Sequence, residues 1–215
     1  MGATLLQKNK TAFAVAATYA SAFGSAVKAG STLIAVSYYS SNGVPTVSDT
    51  LGNVGWTIAD RNNTFTGGLN TVVCFVLQNS LAGSCTITLD THGTAGNGDL
   101  FIFEYGGVLS ASLDTHNMGT GTNANPSVSL TTSLPNELLF NYFASGAGGN
   151  VIDSNYALQE DDAGFLTAGD AIGVTATSYA TSNACTSAVW VAGLVSLKPS
   201  LSGVSNSLMR MGVGT

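Results

Sequence analysis

The chain has 215 residues, 45% of them hydrophobic and only 8% charged, with six Lys and Arg against twelve Asp and Glu and a net charge of -6. Soluble domains usually carry about 25% charged residues. Six scattered cations are too few to displace counterions from a nucleic acid, and no window approaches the roughly 18 uninterrupted apolar residues of a membrane-spanning helix. The apolar content is enough to build a core and excludes a disordered chain. The length suits one large all-β domain.

The start, MGATLLQKNKTAF, has its lysines after the first apolar residues and no long apolar stretch, so it does not read as a secretory signal. The triplets at Asn9 and Asn62 match the glycosylation pattern but carry little without such a signal. MGATLL lacks the Ser or Thr at its sixth position that myristoylation favours. The segment TAFAVAATYASAFGSAV puts Val15, Tyr19, Phe23 and Val27 at a spacing a helix could use. Its Gly24 and its β-branched and aromatic content favour an extended strand followed by a loop.

STLIAVSYYS is apolar on both faces and reads as a strand covered on each side. VPTVSDTLGNVGWTIADR predicts strand, tight turn at Leu51-Gly52-Asn53, then strand through Trp56 and Ile58. NTVVCFVLQN is again apolar on both faces, and CTITLDT alternates, with Ile87 and Leu89 inward. GDLFIFEYGG follows, then a short run near Leu113, PSVSLTT with Val128 and Leu130, and NELLFNYFAS ahead of the loop GAGGN. YALQED, AIGVTATSY and SAVWVAGLVSLK complete the set. Ten or more strands without an intervening helix predict an all-β fold, a two-sheet antiparallel β-sandwich of jelly-roll or related type. The sandwich is expected over residues 1–198, with an extended tail from 199 to 215.

Cys74, Cys85 and Cys185 have no metal-ligand spacing and read as buried thiols. A cross-strand bond between Cys74 and Cys85 stays open. Together these features predict a reduced protein made in the cytosol.

The strands SAVWVAGLVSLKP, AGSTLIAVSYYSSNGVPTVSDTLGNVGWTIA, GDLFIFEYGGV and NELLFNYFASG, with SLDT, resemble a β-sandwich module of bacterial and bacteriophage surface or virion proteins. The resemblance spans residues 11 to 198. It implies core strands and turns and no catalytic residue. With its own Met, no signal and an added tail, the chain looks like the free-standing phage form.

Both histidines fall in copies of Leu-Asp-Thr-His, ending at His92 and His116. A His–Asp pair needs a nucleophile or a third ligand to do chemistry, and neither copy has one nearby. Both are expected to be turns capped by Asp and Thr, as Leu-Asp-Thr is in the module the chain resembles; a weak metal site formed between the two copies stays open. Glu160, Asp161 and Asp162 form the densest charge. They are read as a solvated loop rather than a calcium or glycosidase site, because successive strand residues point to opposite faces. There is no G-x-S-x-G elbow, and GTGTNA has no helix after it to cradle phosphate.

The expected function is therefore a non-enzymatic structural protein of a virion, a capsid decoration (cement) protein without cofactors, working by buried protein–protein area. Its partners would be a viral shell protein and copies of itself, with a homotrimer as the expected assembly. Leu201, Val204, Leu208, Met209 and Met211 of the tail are the candidate anchors. The rival is a carbohydrate-binding module or a tail-associated host-surface-binding protein, with Tyr38, Tyr39 or Trp56 as a stacking platform, although core packing is the commoner fate of such rings. Trp190, in an apolar strand, is expected in the core. A hydrolase using Glu160 to Asp162 is the third reading.

Overall fold

Strands built from β-branched and aromatic residues dominate the computed structural model, which describes residues 2–65, 70–92, 96–162 and 165–200. The tail residues Leu201, Val204, Leu208, Met209 and Met211 lie outside the described residues. In chain order the strands are β1 (Thr4–Ala16), β2 (Thr18–Ala22), β3 (Thr32–Tyr39), β4 (Thr46–Asp49), β5 (Thr57–Thr64), β6 (Asn70–Leu77), β7 (Thr86–Asp90) and β8 (Gly96–Gly106). After them come β9 (Val108–Gly121), β10 (Ser129–Thr131), β11 (Glu137–Ser145), β12 (Ala157–Asp161), β13 (Leu166–Val174), β14 (Ser178–Ala180) and β15 (Trp190–Pro199).

Two five-stranded antiparallel sheets form the centre, ordered β1-β8-β3-β6-β5 and β12-β13-β11-β15-β9. Between them lies a cluster including Ile34, Val36, Phe101 and Phe103 from the first sheet and Leu138, Phe140, Tyr142 and Val195 from the second. The sandwich expected from the sequence is present, and each of its sheets has a further small sheet on its outer face. The sheet β2-β7-β4 closes over Leu33, Ala35, Val73, Phe75, Leu100 and Ile102. The pair β10-β14 closes over Leu139, Phe143, Ala192 and Leu194. Apolar side chains on both faces of β3, β6, β8, β11 and β15 require this doubled cover.

The two halves of the chain share one connectivity. Reading β9, β10, β11, β12, β13, β14 and β15 for β1, β2, β3, β5, β6, β7 and β8 turns the first large sheet into the second, and β2-β7 into β10-β14. The sequence carries the same correspondence. IAVSYYSS of β3 matches LLFNYFAS of β11, and WTIAD entering β5 matches YALQE entering β12. Both edge strands are bulged at the matched place, between Ile58 and Asp60 and between Leu158 and Glu160. The fourth strand of the first half, β4, has a remnant in the second: a single bridge between Val151 and Ala184.

Several expectations need correction. The second Leu-Asp-Thr-His lies inside β9, where a bulge opposite β15 interrupts the ladder between His116 and Leu113, so it is not a turn. The first strand begins at Thr4, well before the apolar run. This edge strand turns Lys8 and Lys10 toward Glu160 on one face and Gln7 and Asn9 toward Ser25 O and Ala22 O on the other. The last strand reaches Pro199, and Ser200 N–H donates to Gly107 O, so the sandwich extends past residue 198. Cys74 packs between the large sheets and Cys85 under the small one, on opposite faces, which rules out the bond left open. All three cysteines are free and buried, as expected.

Gly193 sits opposite Tyr142, and a Cβ there would lie 2.1 Å from the tyrosine ring. That ring is fully buried and has nowhere to retreat. Gly193→Ala is expected to lower stability by about 1–3 kcal/mol, the usual cost of overpacking, read as a reduced midpoint in urea with an unchanged slope.

Candidate functional site

The sequence offered three rings as a platform, and the fold separates them. Tyr38 and Tyr39 are neighbours on β3, so they point to opposite faces. Tyr39 is fully buried beneath the small sheet, which removes it as a stacking surface. Trp56 is half-buried against the same cluster, and its Nε1–H donates to Asp49 Oδ2 at 2.8 Å. It seals the small sheet rather than facing solvent. Trp190 is in the core, as expected.

Tyr38 alone reaches a surface. Its ring stacks on Phe165 at 5.8 Å and 7°, and meets Phe65 edge-on at 5.7 Å. Tyr38 and Phe165 border an open groove of about 520 Å³ between the end of β1, the end of β3 and the start of β8, with Phe13, Ser40, Asn97 and Asp99 among its lining. Phe165, which the sequence did not single out, is 47% exposed. No pattern marks it, because its exposure depends on the bend between β12 and β13.

The carboxyl of Asp99 is buried beside that of Asp162. Burial first, then the hydrogen bond and charge of Asp162, push the Asp99 carboxyl up to about 8, with Lys10 opposing. A second carboxyl beside it favours the neutral form of Asp99. Glycosidic cleavage needs its carboxyls about 5 Å or more apart with the sugar between them, whereas these two bond to each other. Asp162 Oδ1 also accepts from the Phe165 and Leu166 N–H groups, at 2.7 and 2.9 Å, so the pair anchors the bend that presents Phe165.

The acidic run proves to be strand end rather than loop. Glu160 lies 3.7 Å from the ammonium groups of both Lys8 and Lys10, across from β1. Asp161 accepts from Thr167 Oγ1, and Asp162 turns to Asp99. Alternation along the strand has dispersed the three carboxylates, and they do not face one cleft.

The first Leu-Asp-Thr-His behaves as a turn. His92 has φ 46, its N–H donates to Asp90 Oδ1 at 2.8 Å, and its Nε2 contacts Thr46 Oγ1 at 2.9 Å. The second copy joins a buried network. His116 Nδ1 lies 2.9 Å from Asp60 Oδ1, and the Tyr142 hydroxyl donates to Asp60 Oδ2 at 3.0 Å. Burial raises the Asp60 carboxyl while these two partners pull it back. The histidines thus serve different sheets with different partners, and no group of three or more metal-ligating side chains occurs among the described residues. On the opposite side of the same seam, the Tyr105 hydroxyl donates to Asp170 Oδ2 at 2.8 Å.

No family model matches the chain, and no curated protein matches it. Among solved structures, it is similar to the major capsid protein P2 of bacteriophage PM2, at 10% identity and a TM-score of 0.26, over 94% of this chain and 99% of that one. A likeness this slight leaves the functional reading to the geometry.

Asp99 ionises near the unfolded value of 3.8 in the open chain and near 8 in the fold. Its stabilising contribution is therefore complete below pH 3.8 and is lost as the pH rises to about 8. Asp99→Asn is expected to flatten the fall in stability over that window, by up to about 1.4 kcal/mol per pH unit. Urea midpoints of both proteins from pH 4 to pH 8 check this; parallel curves would show that the fold does not raise the Asp99 carboxyl.

Proposed function

We propose that the chain is a non-enzymatic structural protein of a virus particle, a decoration protein that reinforces an assembled shell. The observation that carries this reading is the strand order. We read the arrangement β1-β8-β3-β6 over β2-β7-β4 as jelly-roll-like, an architecture used by viral shell proteins and by lectins. The second half repeats the large sheet and the β2-β7 pair without a full fourth strand, and the two halves pack through their larger sheets. A shared fold by itself does not fix a function, so the chemistry of the surface matters.

That surface suits a structural role. Asp60, Asp99, Glu104, Glu137, Asp153 and Asp170 are buried, half of the twelve acidic residues. What remains outside is mostly Ser, Thr, Asn and Gly, with single aliphatic side chains such as Val54, Ile58 and Leu158. A charge-poor surface of this kind has little long-range repulsion to overcome when copies crowd on a lattice. The carboxylates considered for hydrolysis, Glu160, Asp161 and Asp162, are held by Lys8 and Lys10, by Thr167 and by Asp99 respectively, which supports a protein without catalysis.

Carbohydrate binding remains the second reading, favoured by the groove with Tyr38 and Phe165 at its rim. It would use Phe165 in place of Tyr39 and Trp56.

Sedimentation equilibrium of the full chain tests the first reading. A trimer that persists on dilution is expected; a monomer at all concentrations would overturn the self-associating form of the proposal. A glycan array separates the rival: binding that Phe165→Ala removes would favour the lectin reading, and an empty array would eliminate it.

A further inference from the structure

The repeated connectivity exposes a difference between the halves. In the first half, the outer face of β6 presents Val73 and Phe75, opposite Ser37 and Ala35. In the second half, the matched places opposite Asn141 and Leu139 hold Gly169 and Ala171. A second filler is also missing. Six residues, 50–55, link Asp49 to Trp56, and Leu51 among them packs into the outer cluster. Only Ser154 and Asn155 link the matched Asp153 and Tyr156. In both halves the aspartate organises the link, accepting from Asn53 in one and Asn155 in the other. The shorter link carries no plug.

The result is an apolar gap of about 290 Å³ over the second large sheet, lined chiefly by Leu139, Tyr156, Ala171, Val174 and Tyr179. It lies where Phe75 and Leu51 fill the first half. Leu139 and Tyr156 on its floor are buried, while Ala171, Val174 and Tyr179 at its rim are half-buried.

We infer that the gap is the docking site for residues 201–215 of the same chain. The last strand delivers them to the right place. Leu197 of β15 pairs with Leu138 of β11, beside the gap-lining Leu139, so the chain leaves the sheet at the gap's own end. The exit on β15 and the floor on β13 are two strands apart, about 10 Å, and fifteen residues can extend about 50 Å. Leu201, Val204, Leu208, Met209 and Met211 are the apolar residues of this segment. Leucine and methionine are flexible enough to fill an irregular gap, and Gly and Ser between them let the backbone follow it. The site depends only on the chain's own asymmetry and is independent of the virion reading.

A chain ending at Ser200, titrated with a labelled peptide of residues 201–215, tests this. Saturable binding is expected, at least about tenfold tighter than to the full chain, whose gap its own segment already fills. Ala171→Phe, which installs the first half's plug, is expected to weaken binding to the shortened chain by at least about tenfold. A peptide carrying Leu208→Asp and Met209→Asp gives the same loss without altering the folded partner. The inference fails if the peptide does not bind, if the full chain binds it equally well, or if the peptide with both aspartates binds as the unaltered one does.

Discussion

The two large sheets carry apolar side chains on both faces, and the rest of the structure follows from the need to cover each face. Their inner faces cover one another, with Phe101, Phe103 and Phe140 at the centre. Neither outer face can meet water without exposing a further apolar layer. The chain therefore returns short strands over each, β2-β7-β4 on one side and β10-β14 on the other. Burial of this kind contributes about 25 cal/mol for each Å² of apolar surface removed from water. It explains how a chain with so few charged pairs holds four layers together.

Half of the acidic residues are buried. Along the central seam, Asp60 receives His116 and Tyr142, and Asp170 receives Tyr105 and Gln159. Each bond crosses from one large sheet to the other or braces a carboxyl that does. Buried carboxyls cost free energy unless they are hydrogen-bonded, so these bonds fix the register of one half against the other. The same burial raises the carboxyls of Asp60, Asp99, Glu137 and Asp170 from their ordinary values. Each of these groups weakens the fold as the pH rises through its folded value, whereas the Asp114 carboxyl, lowered against its burial by Lys198 and Ser133, acts in the opposite direction.

The internal repeat was hidden behind a false one. Leu-Asp-Thr-His occurs twice word for word, yet one copy ends β7 and the other lies within β9, so the copies occupy unrelated places. The true correspondence, IAVSYYSS with LLFNYFAS, keeps the pattern of inward rings and buried polar residues with little identity. Ser37 and Asn141 are both buried at the matched position, and Tyr38 and Tyr142 both follow them. Packing preserves size and polarity more strictly than letters, which is why a search for repeated words finds the wrong pair. Where the halves differ, they differ on the outer layers, at Phe75 against Ala171 and in the link carrying Leu51.

The sequence alone determined the all-β class, most of the strands and the burial of the cysteines, because alternation and two-faced apolar runs are local properties of the chain. It also indicated that the acidic run lacks a converging site, since neighbours on a strand diverge. It missed the full length of β1 and β9, whose polar residues are legible as strand only once an edge position is known. The tertiary structure alone decided which of two adjacent tyrosines reaches a surface and that His116 meets Asp60 while His92 meets Thr46. It also decided that Asp99 and Asp162 share one environment. Those outcomes depend on strands distant in sequence being brought face to face, and no local pattern encodes which faces will meet.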